Sequence, residues 1–301
     1  MYKHLLVPLD GSHLAEAALP LTAYLAQKLN ATVTLLHVIE HHAPEEVHHD
    51  RHLTDSASAC IYLDEAAQRA FPPTVHVERH VHDTAVNNVA RSLVEHTGEL
   101  VTPDLIIMCT HGPTGVRDWL FGHLGDQVIA LGQTPVLLIH PPEAHAAPEV
   151  SFRRLFVPLD GSPAHEQVLP IATQLAQACS AAVHLAMVVH TLGTLGGEKA
   201  ATGKLLPGAM TAMLDLAEQE AQAYLRPHLA QLLSAGLTAT AEVARGDPAP
   251  TIVSIAQRLK ADLIVLGTHG KIGTEAFWAG SVAPRVSDRT TMPLLLVPIT
   301  E

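Results

Sequence analysis

A chain of 301 residues, 48% hydrophobic and only 16% charged, has ample material for a buried core and reads as a compact soluble protein. Its formal charge of -12 argues against a phosphate-tracking nucleic-acid surface, which needs clustered Lys and Arg, and no apolar run approaches a membrane span. Three scattered cysteines (Cys60, Cys109, Cys179) and a start without a basic, then apolar, leader pattern make a reducing cytoplasm the expected location.

Residues 5–9 form a short apolar run that ends at Asp10-Gly11-Ser12. Residues 14–29 carry apolar side chains at helical spacing, and 32–39 are β-branched and aliphatic, which predicts a strand. A loop rich in His and acidic residues leads to a helix predicted over about 53–70. Over 74–81, Val75, Val77, Arg79 and Val81 alternate with His76, Glu78 and His80, the period of a strand. Residues 86–96 read as a helix, and 105–109 and 136–139 as buried strands. The second half repeats the series: strand 155–159, helix 163–178, strand 182–189, helix 209–233, strand 238–243, helix 251–260, strands 263–266 and 294–297.

Short aliphatic strands alternating with helices imply parallel sheets covered on both faces. Five strands per half predict an α/β fold of two tandem, doubly wound, open parallel sheets, with ligands at the carboxyl ends of the strands. The Pro-rich stretch 141–151 reads as a linker, which sets the domains at 1–142 and 152–301.

The tandem reading rests on a strong internal repeat. Val7-Pro8-Leu9-Asp10-Gly11-Ser12 recurs unchanged as Val157-Pro158-Leu159-Asp160-Gly161-Ser162, an offset of 150. Thr110-His111-Gly112 matches Thr268-His269-Gly270, and Pro135 matches Pro293, now at an offset of 158. A period of this size is that of a domain rather than of a short-repeat solenoid.

After strand 263–266 the second half reads Gly267-x-x-Gly270, nine residues, then Gly280-Ser281, with Ser281 opening a helix. Glycines let backbone approach a phosphate closely, and the free N–H groups of a helix start supply donors and positive potential. The Ser281 hydroxyl adds a donor or a cap, and Pro284 falls in the first turn, where a missing N–H matters little.

Here the chain resembles the universal stress protein family, whose nucleotide-binding members carry G-x2-G-x9-G-[S/T]. The second repeat matches that pattern at every fixed position, and the resemblance runs through both halves from the Val-Pro-Leu-Asp-Gly-Ser opening to the terminal Pro-x-Leu-Leu strand. It implies an adenine nucleotide alpha-hydrolase-like, Rossmann-like fold and a site for ATP, with Mg²⁺ bridging the phosphates. By the same resemblance Asp160 sits beside the nucleoside, where a carboxylate accepts hydrogen bonds from ribose hydroxyls or the adenine amino group. Val188 aligns with the position whose backbone contacts adenine, and Gly267, Gly270, Gly280 and Ser281 hold ribose and phosphates. Lys271 is either a further phosphate partner or a solvated surface charge.

The first repeat departs from the pattern. Its run is Cys109-x-x-Gly112, nine residues, then Gly122-His123, so a thiol replaces the first glycine and an imidazole replaces the serine. Asp10 and Val38 are retained, which leaves Asp10, Val38, Gly112, Gly122 and His123 as a weaker candidate site. Steric exclusion by Cys109 is the simpler expectation, with the thiol as a small core group rather than a nucleophile. His111 and His269 lack a paired nucleophile with an orienting acid nearby in sequence and read as packing residues.

His41, His42, His48, His49 and His52 lie in one loop with Glu40, Glu45, Glu46 and Asp50. Imidazole with carboxylate suits zinc, nickel or copper, but the spacing matches no defined site, and a solvated polar loop is the simpler expectation. His76, His80 and His82 share one strand face, whose exposure depends on the position of that strand in its sheet.

The expected function is ATP-dependent regulation in a stress response, through conformation or partner binding. A slow ATP hydrolase or phosphotransferase is the alternative, although no Walker loop, metal-holding acid pair or general base is evident. A ligand-free or metal-binding scaffold is the third reading. The family's habit of pairing through last strands implies an intrachain pseudo-dimer through strands near Val136 and Leu295, with a homodimer as a further option.

Overall fold

The computed structural model describes residues 2–41, 46–47, 50–86, 88–99, 103–110, 124–141, 150–195, 197, 201–202, 205–269 and 282–299. By their contacts the described residues form two units, one from 2–151 with His269 and Pro293–Pro298, the other from Phe152–Thr268 with 282–292 and Ile299.

The first unit runs β1 (His4–Pro8), α1 (His13–Glu16), α2 (Leu19–Leu29), β2 (Thr32–Glu40), the short hairpin β3 (Glu46–Val47) and β4 (Asp50–Arg51), α3 (Ser56–Ala70), β5 (Val77–Val86), α4 (Val89–Glu99), β6 (Leu105–Cys109), α5 (Leu124–Leu131) and β7 (Val136–Ile139). The parallel strands take the order β7-β6-β1-β2-β5. Leu5, Leu6 and Val7 of β1 are all buried, as a strand sandwiched between two helical layers requires. From β1 the chain builds outward through β2 and β5, then returns to add β6 and β7 on the other side. The order therefore reverses between β1 and β6, and that reversal opens a crevice at the carboxyl ends of these two strands.

Local chemistry sets the element ends. Ser12 caps α1, its hydroxyl accepting from the Ala15 N–H at 3.1 Å. The predicted helix over 14–29 is broken at Ala17 and Ala18, and α2 begins afresh with Pro20 in its first turn. It ends on Asn30, held left-handed at φ 49°, a conformation that asparagine tolerates better than most residues. Strand β5 starts and ends later than its alternation predicts. The Val75 N–H donates to the Pro72 carbonyl at 3.0 Å, a turn that delays the start. A register shift between Val38 and Glu40 then lets Glu40 pair with Val86. Helix α4 consequently begins at Val89, with the Asn88 side chain accepting from the Arg91 N–H at 2.8 Å. Within the first unit β5 is an edge strand, and the His76 side chain on its approach is exposed.

The second unit repeats the plan: β8 (Arg154–Leu159), a 3₁₀ turn (Pro163–Gln167), α6 (Val168–Cys179), β9 (Ala182–Val189), α7 (Pro207–Ser234), β10 (Ala239–Arg245), α8 (Pro248–Leu259), β11 (Leu263–His269) and α9 (Val282–Ser287). Its strand order β10-β9-β8-β11 reproduces β5-β2-β1-β6, again parallel. Among the described residues Phe156 of β8 is the largest of the fully buried side chains. The final strand, β12 (Leu294–Ile299), lies through Pro298 in the first unit and runs antiparallel to β7, with Leu294 opposite Leu138, Leu295 opposite Leu137 and Leu296 opposite Val136. The pairing expected between strands near Val136 and Leu295 is thus present. The architecture is a tandem of open, mostly parallel, doubly wound α/β sheets. No helix among the described residues is long and apolar enough to cross a membrane.

Candidate functional site

The second unit places Asp160 one residue beyond β8 and Gly267 within β11, the strand that pairs with β8 across the reversal in strand order. Both therefore face the same crevice. Leu159 pairs with Met187, so Asp160 and the half-buried Val188 come next on neighbouring strands. Three residues nominated from distant parts of the sequence are brought together by the topology. Gly270, Lys271, Gly280 and Ser281 lie outside the described residues.

The Asp160 carboxylate is already engaged. Oδ1 accepts the Ser162 N–H at 2.9 Å, and Oδ2 accepts from Nδ1 of His165 at 2.7 Å. Burial alone raises its pKa, but the His165 and Ser162 hydrogen bonds outweigh it and hold the group below the ordinary carboxylate value. The carboxylate side chain remains 56% exposed, whereas the His165 side chain is 17% exposed. His165 was not foreseen from the sequence.

Its ring fills the space over Gly267. A Cβ at Gly267 would lie 2.7 Å from Cδ2 of His165, and 3.0 and 3.1 Å from Cδ1 and Cγ1 of Ile299. Gly267 is not among the left-handed glycines, so its lack of a side chain answers a demand for space rather than for backbone freedom. The 3₁₀ turn that carries His165 is anchored by Glu166, whose carboxylate lies 3.3 Å from Nε2 of His228 in α7. The Tyr224 ring meets His228 edge-on at 4.8 Å. Burial, then Glu166 and the Asp160 charge, push the Tyr224 phenol well above its usual range.

The first unit holds different residues at these positions. Oδ1 of Asp10 accepts both the Ser12 N–H at 2.9 Å and the Ser12 hydroxyl at 2.6 Å. The repeat counterpart of His165 is Ala15, and that of Gly267 is Cys109. The Cys109 side chain lies close enough to Asp10 to feel its charge: burial first, then that carboxylate, push the thiol up to about 12. A thiol so placed stays protonated and is a poor nucleophile. Val38 is buried in β2, and Gly112, Gly122 and His123 lie outside the described residues, as does His111.

Of the histidine loop, His41 is exposed and His52 is buried with Nε2 3.6 Å from the Glu40 carboxylate, while His42, His48 and His49 lie outside the described residues. Among the described residues no group of three or more His, Cys, Asp or Glu side chains is placed to hold a metal ion. Several histidines serve the fold instead. His37 is buried with Nδ1 2.7 Å from the Leu9 carbonyl and Nε2 3.0 Å from that of Leu53, and His13 meets Asp50 at 3.0 Å.

The fold and the two crevices define a tandem doubly wound α/β protein with an aspartate at each reversal of strand order. The universal stress protein family model matches residues 1–140 and again 151–298. The chain belongs to the universal stress protein family, as a member with two family domains in tandem. Universal stress protein MJ0531 of Methanocaldococcus jannaschii is 32% identical over 148 residues, which is 48% of this chain and 82% of that protein. Universal stress protein YxiE of Bacillus subtilis is 27% identical over 153 residues, 48% of this chain and 99% of its own length. The crystal structure of a universal stress protein from Archaeoglobus fulgidus shares the fold, with a TM-score of 0.65 at 16% identity over 100% of this chain and 98% of that one.

Proposed function

We propose that the protein binds an adenine nucleotide, ATP with Mg²⁺, in the crevice of its second repeat and acts in stress regulation through the conformation or partners that occupancy selects. The observation that carries this reading is the meeting of Asp160 and Gly267 in one crevice, in the repeat that keeps Gly267, Gly270, Gly280 and Ser281 at full family spacing. A carboxylate at a strand tip suits ribose or the adenine amino group, and a glycine-rich turn into a helix suits phosphates. When bound, Mg²⁺ would offset phosphate charge. Asp160 would orient the nucleoside, and Gly267 would let it approach the backbone.

The first repeat, with Cys109 beside Asp10, serves in this reading as structural partner. The antiparallel β7–β12 pairing supports an intrachain pseudo-dimer of family domains 1–142 and 152–301, which leaves homodimerisation as a further option. A cytoplasmic location and the absence of a nucleic-acid partner belong to the same proposal.

The test is direct. Purified full-length protein is heat-denatured, and the supernatant is assayed for adenine nucleotide by absorbance and chromatography. In parallel, Mg·ATP is titrated into the native protein by calorimetry. Bound nucleotide or saturable ATP uptake, weakened by Asp160→Asn, is expected. Absence of both would sink the proposal.

A further inference from the structure

We infer that His165 is a gate that sets the affinity of the second-repeat crevice: its ring covers Gly267 and its Nδ1 takes Oδ2 of Asp160, so a nucleoside reaches both only after the ring turns away. The inference rests on the nucleotide reading above and deepens it.

Comparison of the two repeats supports the gate. In each, a different residue stands beside the aspartate that follows the first strand. In the first repeat it is Cys109, rooted in a β-strand, while the position that matches His165 holds the small Ala15. In the second it is His165, rooted in the 3₁₀ turn and facing the bare Gly267. These residues differ in what can move them. A cysteine on a central strand has a single side-chain torsion and moves little from its strand. The imidazole swings on two torsions from a turn near the surface, and its partner carboxylate is more than half exposed. The turn itself is held by the Glu166–His228 pair, so opening needs rotation of one side chain and not loss of the turn.

The bond to be exchanged is charge-assisted, yet water reaches Asp160, so a ligand hydroxyl or amino group can replace His165 at Oδ2. While the ring is in place, the crevice is competent for only a fraction of the time. The apparent dissociation constant rises by the inverse of that fraction. A ring that is out of the way a fifth of the time or less weakens binding by about fivefold or more.

The experiment is calorimetric titration of Mg·ATP into the full chain as wild type, His165→Ala and His165→Gln. His165→Ala is expected to bind at least about fivefold more tightly, while His165→Gln, which retains bulk and a donor, stays nearer the wild type. Damage to the fold does not tighten a ligand, so this gain separates gating from a packing role. In ¹⁵N-labelled wild type, the His165 ring signals should move on ATP saturation as Nδ1 leaves Asp160. This second readout does not depend on any variant folding. Wild type that binds ATP, with His165→Ala equal or weaker or with unmoved His165 signals, overturns the gate and leaves the nucleotide reading standing. No ATP binding by any of the three proteins overturns both.

Discussion

Adding one methyl group at Gly267 tests the packing on which the second crevice depends. The new Cβ would meet Cδ2 of His165 at 2.7 Å and the Ile299 side chain at 3.0 and 3.1 Å. The first separation is well inside van der Waals contact, and overpacking of this kind typically costs about 1–3 kcal/mol. Removing the ring by His165→Ala forfeits its bond to Asp160, which is worth about 1 kcal/mol at most once the exposure of that carboxylate is allowed for. In the His165→Ala background the shortest contact is gone, and the longer ones to Cδ1 and Cγ1 of Ile299 remain. There Gly267→Ala should cost less than about 1 kcal/mol. The two changes are therefore expected to be coupled by about 1–2 kcal/mol, with the double variant more stable than the sum of the single effects predicts. The assay is urea unfolding followed by circular dichroism on the wild type, both single variants and the double variant. Because the chain forms two units, the relevant transition is the one shifted by Phe156→Ala, a fully buried marker of the second. Additivity within about 0.5 kcal/mol would mean that the ring does not press on Gly267, and the account of both glycine and gate would fall.

Two further outcomes follow from buried groups. His184 is buried, with Nε2 3.1 Å from Glu242 and Nδ1 2.7 Å from the Thr240 hydroxyl. Burial, with the Arg258 and Arg154 charges, lowers its pKa despite the Glu242 bond, so the folded protein resists a proton that the unfolded chain accepts. The stability tied to this neutral imidazole is complete above the ordinary value of about 6.5 and is lost as pH falls from there through the lower folded value. Urea midpoints at pH 7.5 and 5.5 should thus fall further in the wild type than in His184→Thr, which copies its repeat counterpart Thr34, and equal losses would refute the assignment. Among the thiols, exposed Cys60 should be alkylated by iodoacetamide at pH 8, while Cys109, pushed up to about 12, and buried Cys179 react only after unfolding. Peptide mapping that finds Cys109 labelled as fast as Cys60 would contradict its placement beside Asp10.

Much of the architecture was legible because it rests on short-range patterns. Buried parallel strands are near-continuous apolar runs, and Leu105–Cys109 and Val136–Ile139 form as their composition predicts. The element ends were less legible. Strand β5 runs on to Val86 because Glu40 of β2 supplies a partner there, and no local signal around Val86 announces it. The single helix read over 14–29 breaks where the chain must turn back from the crevice before Pro20 can start a new helix.

By itself the sequence determined the duplication, the α/β class, the family and the pairing of glycine spacing with Asp160 in the second repeat, since each is written in contiguous or periodic residues. Only the tertiary structure decided what stands in the crevice. His165 and Gly267 are about a hundred residues apart, and neither residue type announces the other. They meet because strand order reverses between β8 and β11, which folds a surface turn over a strand that has no side chain at that point. The same reversal sets Cys109 near Asp10 in the first repeat, so one fold written twice puts a strand thiol beside one aspartate and a turn imidazole beside the other.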